Sequence, residues 1–219
     1  PLPKRKPRFS EEIIRDCLRV LESGDPDSLF EIVPRLGVIR DPRFNEHLLA
    51  LLRHDDAKRR EFAAYAMGAI GSQEFLEPLK KAFTEAEQAR EFGGDECLQA
   101  VIEAVGAIGD DAAVDFFLPI LNSRPEGKKG SGKLRKWIVE SLGTIAQQGG
   151  ERSLQALLEL THHKDPDPRA LTLSELAVAY WHRPNEIADS TLKRIHELMD
   201  DRTPIVAESA LAALQSLAD

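Results

Sequence analysis

The chain has 219 residues, of which 42% are hydrophobic and 30% charged, ordinary for a globular protein and enough to bury a sizeable core. Its 37 acidic residues outnumber its 29 basic ones, and the net charge of -8 argues against a protein that coats nucleic acid through overall charge. No apolar run approaches the roughly 18 residues a bilayer-spanning helix needs. Residues 1–9 form a basic stretch expected to be a flexible tail, and residues 10–219 carry the folded repeats. Because the chain opens on Pro1 rather than Met, an upstream signal or domain is an open expectation. Ser10 ahead of Glu11-Glu12 reads as the capped start of a helix to Leu21. The two cysteines, Cys17 and Cys97, both sit among apolar helical residues. They are too few for a disulfide framework and read as buried free thiols, which suits a reducing, cytoplasmic compartment.

Six segments then align without gaps: Arg35-Leu-Gly-Val-Ile, Ala66-Met-Gly-Ala-Ile-Gly, Ala104-Val-Gly-Ala-Ile-Gly, Ser141-Leu-Gly-Thr-Ile-Ala, Ala177-Val-Ala-Tyr-Trp-His and Ala213-Leu-Gln-Ser-Leu-Ala. Their central residues Gly37, Gly68, Gly106, Gly143, Ala179 and Gln215 lie 31, 38, 37, 36 and 36 positions apart. The residue before each centre is apolar, and so is the one two places after it, a spacing of three that puts both on one helical face. In this alignment Val178 and Trp181 fall on packed slots. The residue two places before the centre is small in five copies, which lets a neighbouring helix approach. A central Gly costs about 1 kcal/mol against Ala inside a helix, so its recurrence implies a packing or helix-ending role. Between the segments lie further helical stretches at 44–53, 75–83, 114–121, 153–160 and 187–199, separated by turn signals such as Asp25-Pro26, Asp41-Pro42, Asp110-Asp111 and Asp200-Asp201. Pro119 argues against a central strand in the best strand candidate, 114–121. The expected fold is all-α, with about six helix pairs.

The stretches from Asp55 to Gly71 and from Gly132 to Ile145 resemble the second helix of a HEAT-like repeat of the phycobilisome-lyase type. That resemblance covers about residues 10–219 and implies a right-handed α-α superhelix, a HEAT/armadillo-like solenoid whose second helices line a concave, partner-binding side. It places Arg60 and Arg135 on a recurrent arginine that bridges neighbouring repeats. The same slot reads Leu29, Leu98, Leu171 and Ala207 in the other copies, which interrupts an arginine ladder.

Chemistry-bearing motifs are few. Gly127-Lys-Lys-Gly-Ser-Gly-Lys133 matches seven places of a phosphate-cradling loop, but Leu134 stands where Ser or Thr must reach Mg²⁺, so it reads as a turn between helices. A possible anion-binding rim comprises Lys128, Lys129, Lys133, Arg135 and Arg169, opposed by the acids of the preceding turn. His162-His163 with Asp165 and Asp167 has metal-ligand residue types, but adjacent residues do not face one site, and a solvated turn is expected. No metal, cofactor or catalytic group is expected. The outward faces of the second helices supply candidate partner contacts: Lys58, Glu61, Tyr65, Gln99, Glu103, Lys133, Lys136, Glu140, Thr172 and Leu176. Tyr65, in the slot of Glu103 and Glu140, is the expected exposed aromatic. The resulting expectation is a non-enzymatic scaffold or adaptor for a protein or peptide on the concave face. Two alternatives are a nucleic-acid-binding solenoid resembling HEAT-like DNA glycosylases, and a lyase or chaperone acting on a tetrapyrrole-bearing protein.

Overall fold

The structure is a computed structural model that describes residues 9–89, 95–123, 131–181 and 186–218. The basic tail, apart from Phe9, lies outside these residues. Internal packing groups the chain into two compact units, Pro1–Ala104 and Val105–Asp219. The first holds α1 (Glu11–Ser23), α2 (Pro26–Ile39), α3 (Phe44–Leu52), α4 (Ala57–Ile70), α5 (Leu76–Ala89) and most of α6 (Asp95–Ile108). The second begins with the last turn of α6 and continues through α7 (Asp111–Ser123), α8 (Ser131–Gln147), α9 (Glu151–Leu160), α10 (Pro166–Tyr180), α11 (Asp189–Leu198) and α12 (Pro204–Ala218). The described residues hold these twelve α-helices and a 3₁₀ turn at Gln73–Phe75, and they contain no strand. The fold is all-α.

Local chemistry sets the helix ends. Ser10 Oγ accepts from the Ile13 N–H, Asp25 Oδ2 from the Ser28 N–H and Asp56 Oδ1 from the Arg59 N–H, each satisfying a donor that the first turn leaves orphaned. Pro26 and Pro166 open α2 and α10, where a missing N–H costs nothing. Gly24 and Gly71 end α1 and α4 in the left-handed region, at φ 63° and 67°.

In the first unit α1 packs on α2 and α3, and α4 packs on α2 and α3. Leu29, Ile32 and Leu36 of α2 and Phe62, Ala63, Ala66 and Met67 of α4 are buried. In the second unit α10 packs on α8, α9 and α12. There Ala170, Leu173 and Ala177 share a buried cluster with Val206, Ala210 and Ala213.

The recurrent Gly serves packing. A Cβ at Gly68 would lie 2.9 Å from Ala104 Cα, and one at Gly106 would lie 2.6 Å from Ser141 Cβ. In both cases the Gly of one second helix meets the small slot of the next, so the lost helix propensity is offset by close backbone approach.

The fifth copy corrects the gapless alignment. Arg60 Nη1 donates to the carbonyls of His54 and Asp55, at 2.6 and 2.7 Å. Arg169 Nη1 makes the same pair of bonds to His163 and Lys164, at 2.8 and 3.0 Å. In each turn the His Nδ1 accepts from the N–H two residues on, Asp56 or Asp165. The shared unit is His-x-Asp-x-x-x-Arg, and it equates Arg169, not Leu171, with Arg60. The copy is therefore two residues shorter than the alignment assumed. Leu176 and Ala179 take the buried slots of Met67 and Ile70, while Val178 and Trp181, expected to be packed, are 47% and 56% exposed. Glu175 falls in the slot of Ala66, Ala104 and Ser141, and its side chain lies over Gly143, where a Cβ would overlap the carboxyl.

Candidate partner-binding faces

In the first unit, α4 and α6 bring four of the expected contacts together. Tyr65 is half-buried, its ring tilted edge-on to Phe30 at 6.4 Å. Burial raises the phenol pKa above its ordinary value, and the carboxylates of Glu103 and Glu61 push the same way. Gln99 Nε2 donates to Glu103 Oε1 at 2.6 Å. Tyr65, Glu61, Gln99 and Glu103 thus form one acidic, half-buried patch, with Lys58 exposed in the first turn of α4. Cys97 is buried on the same helix, and burial pushes its thiol up to about 11 against the lowering influence of Arg60, so it stays protonated at neutral pH. Cys17 is likewise a buried free thiol, raised by burial.

In the second unit the outcome is mixed. Lys133 and Lys136 are exposed on α8, and Lys136 Nζ lies 3.7 Å from Glu140 Oε1. Thr172 and Leu176, expected on the outward face of α10, are instead fully buried, because the shorter repeat rotates that helix relative to the alignment. The residues that face outward are Ser174, Val178 and Trp181, with Glu175 half-buried beside them. Glu175 faces Glu140, and burial raises its carboxyl to about 7, with the Glu140 charge adding to the effect.

Two residues of the expected anion-binding rim, Arg135 and Arg169, are committed elsewhere. Lys128 and Lys129 lie outside the described residues. Lys133 belongs with Ser131 and Gly132 to the first turn of α8, not to the predicted connecting turn, whose residues 127–130 are also undescribed. Arg135 is buried and its Nη2 lies 3.0 Å from Asp165 Oδ2, also buried, so neither is solvated. Arg169 is buried too, and its Nε and Nη2 grip the two carboxylate oxygens of Asp201 at 3.1 and 2.9 Å. Burial works against the Asp201 carboxylate, but Arg169 and the Thr203 N–H hold it below its ordinary range. Both guanidinium groups clamp one second helix to the turn before the next, which is the bridging role expected of Arg135 and, through the corrected register, also of Arg169. Asp165, read in sequence as part of a solvated turn, is one half of that clamp. Among the described residues no group of three or more His, Cys, Asp or Glu side chains could hold a metal ion, and no helix is long and apolar enough to cross a membrane.

No protein-family model matches the chain, and no curated protein matches it in sequence. Its structure is similar to an engineered protein, at 16% identity and a TM-score of 0.48, covering 94% of this chain and 96% of that one. It is also similar to a designed armadillo repeat protein in complex with a (KR)4 peptide, at 16% identity and a TM-score of 0.45, covering 95% of this chain and 100% of that one. A third similarity is to human deoxyhypusine hydroxylase in complex with glycerol, at 17% identity and a TM-score of 0.43, covering 96% and 86%. The recurrent helix pairs, the Gly-to-small contacts between second helices and the arginine clamps give the described residues an all-helical repeat architecture.

Proposed function

We propose that the chain is a non-enzymatic scaffold that binds a protein or peptide through the outward faces of its second helices. The observation that carries this reading is the division of labour on those helices. Their packed slots repeat, whereas the outward slots change from copy to copy: Tyr65 among Glu61, Gln99 and Glu103 in the first unit, Val178 and Trp181 in the second. Large apolar side chains beside polar ones are the composition of a binding surface. Commitment of Arg135 and Arg169 to ion pairs removes two cations from the rim that a nucleic-acid-binding reading requires. The tetrapyrrole reading has no residue that supports it.

The test is site-specific photo-crosslinking in extracts of the source cell, with the reactive group at Glu103, Glu140 or Val178 and, for comparison, at Glu46 or Glu77 on the first helices. One partner captured from the second-helix positions is the expected result. Reversing the charges of Glu103 and Glu140 together with Tyr65→Ala then weakens that partner by at least roughly tenfold, about 1.4 kcal/mol. Crosslinks confined to the first helices overturn the reading.

A further inference from the structure

Glu175 is a carboxyl placed where the repeat otherwise uses Ala or Ser. Its side chain occupies the space over Gly143, the counterpart of the places where Gly68 and Gly106 meet Ala104 and Ser141, and it has Glu140 as its electrostatic neighbour. Among the described residues, the helices packed against α10 bring no uncommitted cation to it. On α8, Lys136 is paired with Glu140 and Arg135 with Asp165, and Lys133 stands two turns before Glu140. On α9, Arg152 is joined to Asp115, leaving the acids Glu151 and Glu159. The charge on α12 is Glu208. Half-burial of a carboxyl without a cation is unfavourable, and the raised pKa expresses that cost. Beyond Glu175 the exposed surface of α10 and its C-cap turns apolar, through Val178 and Trp181.

We propose that this face of the second unit docks a partner segment bearing an arginine or lysine two residues from a large apolar side chain, the cation seating at Glu140 and Glu175 and the apolar group on Val178 and Trp181. The proposal rests on the scaffold reading above and names the partner's chemistry at one of its faces. Spacing and charge both point to this occupant. At about 1.5 Å of rise per residue, Val178 lies about 4.5 Å and Trp181 about 9 Å along α10 from Glu175. In an extended segment, side chains two residues apart share a side and are separated by about 6.6 Å, which falls between those two distances. An incoming guanidinium or ammonium offsets the unfavourable Glu140–Glu175 approach, and an apolar residue covers surface that would otherwise face water.

The proposal carries a proton linkage. A bound cation favours the ionised carboxyl, so binding near pH 6 must release a proton that binding at pH 8 does not. With the free carboxyl titrating at about 7, the apparent affinity rises about tenfold between pH 6 and pH 8 if the bound group stays ionised. The probe is an end-capped synthetic pentapeptide, Gly-Arg-Gly-Leu-Gly, followed on the full chain by NMR at the Trp181 indole and the Glu175 carboxyl, with citrulline in place of arginine as the uncharged control. Expected are shifts at both groups, the tenfold pH dependence, and loss of binding with citrulline. Glu175→Gln, which removes a charge without adding bulk, flattens the pH profile. Trp181→Ala, at an exposed site, lowers affinity but keeps the pH slope. The proposal is overturned if the arginine peptide moves neither group, binds equally at pH 6 and pH 8, or binds Glu175→Gln with an unchanged profile. A partner that crosslinks from positions 103 and 140 while the peptide leaves α10 unmoved overturns this proposal alone. Crosslinks confined to the first helices sink the scaffold reading instead.

Discussion

Glu175→Gln should stabilise the protein at pH 8 and leave its stability almost unchanged at pH 5. Burial beside Gly143 and Glu140 raises the carboxyl from 4.5 to about 7. A raised carboxyl pKa means the folded state holds its proton more tightly than the unfolded chain does. Stability is therefore greatest below the unfolded value, falls as pH climbs from about 4.5 to 7, and levels off above that. At full burial such a change corresponds to about 3.4 kcal/mol. Glu175 keeps part of its contact with water, so screening reduces this to about 1–2 kcal/mol. Glutamine has nearly the shape of the protonated acid and cannot ionise, so it escapes the penalty. For a chain of this size 1 kcal/mol moves the midpoint by roughly 2–4 °C, so the variant should melt about 2–8 °C above the parent at pH 8. Thermal unfolding of both proteins between pH 5 and pH 8 reads this directly, and hydrogen exchange of the α8 and α10 amides localises it. A stability difference that stays constant across that range would refute the reasoning, since it would then come from packing rather than from ionisation.

Two further outcomes test the architecture. Arg135→Ala leaves the buried Asp165 carboxylate without its cation and should cost about 3–5 kcal/mol in urea unfolding, whereas Arg152→Ala, which breaks the exposed pair with Asp115, should cost no more than about 1 kcal/mol. Equal losses would show that Arg135 is not a clamp. Gly106→Val places a side chain where a Cβ is already 2.6 Å from Ser141 Cβ, and overpacking of about 1–3 kcal/mol should lower the midpoint measured by circular dichroism.

What the sequence determines by itself is local and periodic. Ser10, Asp25 and Asp56 cap helices because their side-chain oxygens reach the N–H groups of the first turn, and that chemistry depends on neighbours two or three residues away. The paired apolar slots and recurrent Gly residues are equally legible, since a helix that must stack on copies of itself repeats its contact residues. Those signals suffice for an all-α chain of helix pairs, and they place Tyr65, Glu61, Gln99 and Glu103 on one face. Only the tertiary structure decides which residues of α10 face outward. In an Ala-rich helix several registers match almost equally well, and the gapless one put Val178 and Trp181 inside and Thr172 and Leu176 outside, the reverse of what packing selects. The informative signal, His-x-Asp-x-x-x-Arg, was present at His54 and His163, but its meaning lies in hydrogen bonds that close only when the turn folds. The fate of the basic rim is likewise tertiary. Arg135 and Asp165 are 30 positions apart, and Arg169 and Asp201 are 32. No local pattern distinguishes a guanidinium waiting for an anion from one already buried against a carboxylate, because the difference is made by which distant charge the packed helices deliver to it.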